Sequence, residues 1–98
     1  MTIQKNMNGK TLEIGLEGRL DTTTAPQLEE VITREAPQAE SIVFDLTQLV
    51  YISSAGLRVL LMAHKLMSDK EGMKVTHVNG LVQEVFDVTG FSDLLVIE

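Results

Sequence analysis

SIVFDLTQLVYISSAGLRVLL, residues 41–61, decides the fold. It opens on Ser41 to Leu46, a short, partly β-branched apolar run bounded by polar residues, which reads as a buried central strand. Helical periodicity begins just after Ser54. Leu57, Leu60, Leu61 and His64 form one row, Val59, Ala63, Leu66 and Met67 widen it, and Gly72 closes the helix at about Lys70. Between strand and helix lies a loop that ends on a serine pair, with Ser54 as the predicted N-cap. A buried strand feeding a helix in this way is the repeating unit of an α/β domain.

The flanking segments extend the pattern. Thr2 to Met7 predicts an edge strand, and Asn8-Gly9 a tight hairpin turn. Thr11 to Gly18 alternates, with Leu12, Ile14 and Leu16 on one face, so it pairs antiparallel with the first strand before Gly18-Arg19-Leu20-Asp21 leaves the sheet. Thr24 is the predicted cap of a first helix, with Pro26 in its opening turn, Leu28, Val31 and Ile32 on its apolar face, and an end at about Ala36 before Pro37. Met73 to Val78 alternates as a further strand, and Asn79-Gly80 turns out of it. A third helix covers about Leu81 to Thr89, with Leu81, Val82, Val85, Phe86 and Thr89 on one side and Gly90 as its left-handed terminator. Leu94 to Ile97 completes the chain as a short strand. The expected fold is α/β: residues 1–98 as one domain, with a mixed central sheet opened by an antiparallel hairpin and about three to four helices packed on it.

Composition narrows the function. With 44% hydrophobic and 22% charged residues the chain matches ordinary globular usage. Fourteen acidic residues against eight basic ones, a net charge of -6, argue against direct nucleic-acid binding. No apolar run approaches the roughly 20 residues that span a bilayer, and the start MTIQKNMNGK lacks the apolar stretch of a secretory signal. No membrane insertion and a cytoplasmic location are therefore expected. The absence of cysteine excludes disulfides, a cysteine nucleophile and thiolate-bound zinc. A chain of this size buries only about 60–65% of its unfolded surface, which favours action at the surface over a deep enclosed site.

The serine pair carries the chemistry. A helix start leaves amides unpaired and bears about half a positive charge, so a phosphate on Ser54 would sit over the amides of Gly56 and Leu57. Gly56, without a side chain, would let a partner's backbone approach Ser54 closely. Ser54, Arg58 and Met62 stand at i, i+4 and i+8, one stripe expected to face solvent as a docking surface. The bland alternative for each is plain: a serine at a helix start is most often only a cap, and one exposed methionine is ordinary surface.

Other chemistries lack their parts. The elbow G-x-S-x-G of many serine hydrolases is absent, as are a P-loop and G-x-G-x-x-G. His64 falls on the apolar row, where a satisfied core or boundary imidazole is expected. His77 falls within a predicted strand, and the two lack metal-ligand spacing. No catalytic residue, metal or cofactor is expected. Glu29, Glu30 and Glu35 read as a solvated helix face, with a basic partner as the alternative.

Asp45-Leu46, followed by Tyr51-Ile52-Ser53-Ser54-Ala55-Gly56-Leu57, resembles the signature of the STAS domain, the fold of anti-sigma factor antagonists, in which D-S-[ST]-G-L opens a helix. Gly18-Arg19-Leu20-Asp21 resembles that family's G-x-[LI]-D, and Val85-Phe86-Asp87-Val88-Thr89-Gly90-Phe91 its [VL]-F-x-x-[ST]-G-[LF]. The three motifs stand in the family's order and cover nearly the whole chain. The resemblance implies a phospho-acceptor at Ser54 and an acidic loop residue at Asp21 close to it. It also implies docking through Asp21, Ser53, Gly56, Arg58 and Met62. The implied partners are an anti-sigma factor with serine kinase activity and a serine phosphatase that resets the switch. A monomer is expected. Ser53 replaces the family's aspartate and Ala55 its following Ser/Thr, so Ser53 is the alternative acceptor. The other readings are a constitutive STAS scaffold, such as the accessory subunit of a lipid-trafficking ABC transporter, and a nucleotide or small-ligand sensor.

Overall fold

A computed structural model describes all 98 residues. The opening hairpin forms where the alternation places it, from β1 (Thr2–Asn8) and β2 (Thr11–Leu20), with Asn8 opposite Thr11 and Thr2 opposite Glu17. Its turn lies one residue later than expected. Gly9 and Lys10 are the central residues, and Gly9 alone has positive φ, 64°. A turn that is left-handed only at its first central residue needs positive φ once, where a turn centred on Asn8-Gly9 would need it at both residues.

Next come α1 (Ala25–Glu35), a 3₁₀ turn at Ala36–Gln38, β3 (Ser41–Ile52), α2 (Ser54–Leu66) and β4 (Gly72–Thr76). The chain finishes with α3 (Gly80–Thr89), the single-turn α4 (Phe91–Leu94) and β5 (Val96–Ile97). The sheet is ordered β1-β2-β3-β4-β5, with β1 antiparallel to β2 and every later pairing parallel. Each parallel pair is joined through helix, as parallel connections require.

Leu12, Ile14, Leu16 and Leu20 of β2, and Ile42, Phe44, Leu46, Leu49 and Ile52 of β3, are buried in one core with Leu28, Ile32, Leu60, Ala63, Val82 and Phe86 of the helices. The residues that alternate with them, among them Glu13, Gly15 and Asp45, line an open concavity with Gln4 and Thr76. The sheet thus has one face packed and one face wet, which explains why β2 alternates so cleanly.

Several boundaries differ from expectation. β2 continues through Gly18, at φ 100°, to Leu20. β3 continues to Ile52, so no loop separates strand from helix. Two register shifts against β2 produce this: Gly15 to Glu17 spans Asp45 to Gln48, and Gly18 to Arg19 spans Leu49 to Tyr51. Each extra β3 residue bulges and re-aims the strand. α2 ends at Leu66, and Gly72, at φ 100°, opens β4 instead of closing the helix. Asn79 is the N-cap of α3, its Oδ1 accepting from the Val82 amide at 2.9 Å while its Nδ2 donates to the Leu49 carbonyl at 2.6 Å. Gly90 ends α3 in the left-handed conformation, φ 83°, as predicted. Leu66 and Leu81, placed on core rows, are exposed. No helix is long and apolar enough to cross a membrane.

Candidate functional site

One residue, Ser53, joins β3 to α2, and three hydrogen bonds hold it. Its amide donates to the Leu20 carbonyl at 2.9 Å, its carbonyl accepts from the Leu57 amide at 2.9 Å, and its hydroxyl accepts from the Gly56 amide at 3.4 Å. The backbone of Ser53 is extended, φ -101° and ψ 176°, which makes it the N-cap. Ser54, expected in that role, is instead the first helical residue. It is exposed, and its hydroxyl has no partner within the chain. The two serines therefore differ in kind: Ser53 is committed to the helix, and Ser54 presents a free hydroxyl.

The pairing of Leu20 with Ile52, and the bond from Ser53 to the Leu20 carbonyl, bring the end of β2 against the start of α2. Asp21, the next residue, is carried there with them. Its Oδ1 accepts from the amides of Thr23 at 3.0 Å and Thr24 at 3.1 Å, and Arg19 Nε lies 3.5 Å from its Oδ2. The bond from the Thr24 amide above all, with smaller help from the Thr24 hydroxyl, Thr23 and Arg19, holds the Asp21 carboxyl below its usual range against desolvation, the second-largest influence. Thr24 occupies the N-cap position of α1 but does not cap with its side chain. Its hydroxyl turns back, donating to the Arg19 carbonyl at 2.8 Å and accepting from the Asp21 amide at 2.9 Å. Arg19 also stacks on Tyr51, its guanidinium carbon 4.1 Å from the ring centroid. The Asp21 loop is thus a locked, ionised corner next to the Leu20 carbonyl that holds Ser53.

Gly56 does not serve as the gap through which a partner reaches Ser54. It is buried, and a Cβ there would meet Leu20 Cγ at 2.6 Å and Ile52 Cγ1 at 3.0 Å. The missing side chain lets the first turn of α2 lie directly on the paired ends of β2 and β3. Arg58 is exposed as expected and lines a shallow concavity with Thr22, Pro26, Glu29 and Ala55. Met62 is half-buried against the core, less exposed than its position on the stripe suggested. Leu66, one turn further, is 43% exposed and lines a second concavity with Met62, Pro37 and Lys70. The stripe from Ser54 through Arg58 to Met62 therefore follows the seam between α1 and α2. Leu66 extends it and was missed, because a leucine beside Ala63 and Met67 reads as core. The two histidines line neither concavity. His64 is half-buried with its Nδ1 shielded and unpartnered, so it is not the satisfied imidazole expected. His77 follows β4 in the left-handed conformation, φ 58°, exposed and 3.6 Å from Asp45.

Comparison with known proteins shows which family and fold the chain shares. A family model described as "Mlab, STAS domain" matches residues 3–97. An anti-sigma F factor antagonist of Paenibacillus polymyxa is 33% identical over 102 residues, covering 99% of this chain and 86% of its own. The crystal structure of an anti-sigma factor antagonist from Mycobacterium paratuberculosis superposes with a TM-score of 0.87 at 22% identity, covering 98% of this chain and 83% of that one. A structure of the Bacillus cell fate determinant SpoIIAA in its phosphorylated form superposes with a TM-score of 0.77 at 19% identity, covering 99% and 91% of the two chains.

Proposed function

The chain belongs to the STAS domain family, and we propose that it is an anti-sigma factor antagonist whose hold on its partner is set by phosphorylation of Ser54. Unmodified, it docks onto an anti-sigma factor through the Asp21 corner and the stripe of Ser54, Arg58 and Met62, and the sigma factor is freed. The partner, acting as a serine kinase, transfers the γ-phosphoryl group of ATP to Ser54 Oγ, which gives up its proton as ADP leaves. The phosphate adds about -1.5 to -2 charge at pH 7. Enclosed in a close contact where the partner offers it no cation, a charge of that size costs several kcal/mol, enough to release the partner without refolding the domain. A serine phosphatase hydrolyses the phosphoester and resets the switch. The protein is the substrate in this cycle and supplies no catalytic group.

The observation that carries the reading is the division of labour between the serines. Ser53 spends its hydroxyl on the Gly56 amide, whereas the Ser54 hydroxyl is exposed and unbonded. The test is a pull-down from host lysate with Ser54→Ala and Ser54→Asp baits, read by mass spectrometry, with phosphosite mapping of the unmutated chain. A kinase-fold partner held by the alanine bait and lost from the aspartate bait, with phosphate on Ser54, is the expected result. The same partners on both baits would favour the second reading, a constitutive scaffold of the kind found in a lipid-trafficking ABC transporter. The serine in place of an acidic residue at position 53 supports that alternative.

A further inference from the structure

We infer that Arg58 receives the phosphate of Ser54 within the same chain, so that phosphorylation also withdraws this cation from the partner. The inference rests on Ser54 as the modified residue and adds what the phosphate does inside the domain. Ser54 is the first residue of α2, and Arg58 lies one turn on. Residues four apart are helix neighbours, and helical side chains lean toward the N-terminus, which puts the turn that bears Ser54 within reach of the Arg58 side chain.

Availability singles out Arg58. The chain has three arginines. Arg19 is anchored by Asp21 and the Tyr51 ring, and Arg34 bridges Glu30 and Glu35. Arg58 has no ion pair or hydrogen bond, although the protein is acidic and Glu29 lines the same concavity. A phosphoserine brings more charge than Glu29 and three acceptor oxygens, and the guanidinium fork matches two of them at once. The docking stripe then changes at two positions together: a dianion arises at residue 54, and the positive charge at residue 58 is occupied.

Phosphoserine inserted at position 54 during translation tests this without any kinase, in the full chain and in Arg58→Gln and Arg58→Lys variants. The second ionisation of the phosphate is followed by phosphorus NMR. The amides at the start of α2 act on the phosphate in every variant, so differences among them isolate residue 58. The midpoint with Arg58 present is expected about 0.2–0.4 pH unit below that in Arg58→Gln, with Arg58→Lys between. The gap should close near 1 M salt, where the Debye length is about 3 Å. Unmodified Arg58→Gln should unfold at the wild-type temperature, because the residue is exposed and unpaired. Coincident phosphate midpoints in the three chains would overturn the inference. The phosphorylation switch fails on a different result, host phosphosite maps without Ser54, so the two readings separate.

Discussion

Gly56→Ala tests the contact that seats α2. The added methyl would meet Leu20 Cγ at 2.6 Å and Ile52 Cγ1 and Leu20 Cδ2 at 3.0 Å. Leu20 and Ile52 are buried, and Cγ is the branch carbon of Leu20, not a tip that swings aside. Overpacking of this kind costs about 1–3 kcal/mol, and the helix propensity of alanine returns up to about 1 kcal/mol. From the middle of that range, about 2 kcal/mol, the net loss is about 1–2 kcal/mol, which for a domain of this size lowers Tm by about 5–15 °C. Thermal and urea unfolding read it, with the urea midpoint falling at constant slope. Gly80→Ala is the control, since a Cβ there meets nothing within 4 Å. If the clash is the cause, Leu20→Ala, itself costing about 2–5 kcal/mol, should couple favourably with Gly56→Ala by about 1 kcal/mol. A Gly56→Ala protein as stable as wild type, or strict additivity with Leu20→Ala, would refute the reasoning.

The serines should separate in stability as they do in geometry. Ser53→Ala should cost about 0.5–1 kcal/mol, the low end for a lost cap because the bond is long, and Ser54→Ala should be neutral within about 0.5 kcal/mol; paired urea melts decide. Asp21 gives a pH signature. Its carboxyl is held below the usual range in the folded state, so its stabilisation is complete above the unfolded value of about 4 and is lost as pH falls through the folded value. The stability difference between wild type and Asp21→Asn should therefore be present at pH 6 and shrink progressively below about pH 4 in acid-dependent urea melts.

What the sequence made legible follows from how regularly its elements pack. β2 shows its period because one face is core and the other water, and α3 shows its end because Gly90 is left-handed. β3 hid its second half. Leu46, Leu49 and Ile52 are spaced by three because two bulges lengthen β3 against β2, and that spacing does not read as a strand. The one-residue error at the serine pair had the same root: with the strand ended too early, a loop was expected where none exists, and the cap was placed on the second serine. Asn79-Gly80 carries a turn signature and a cap signature equally well, and only the bonds to Val82 and Leu49 decide between them. The α4 turn, four residues long, is too short to show a helical period. At the site, the burial of Gly56 could not be read locally, because two of the three atoms that crowd its place, the nearest included, belong to Leu20, 36 positions earlier.

The order of the strands in the sheet is their order along the chain. During synthesis each strand therefore emerges beside a neighbour that is already in place, and no gap has to be held open for a later one. Such an arrangement keeps loop closures short and favours fast folding for a mostly parallel sheet. The last strand added is only two residues long, so the seven-residue β1, at the opposite side of the sheet, is the longer edge left for another molecule to extend.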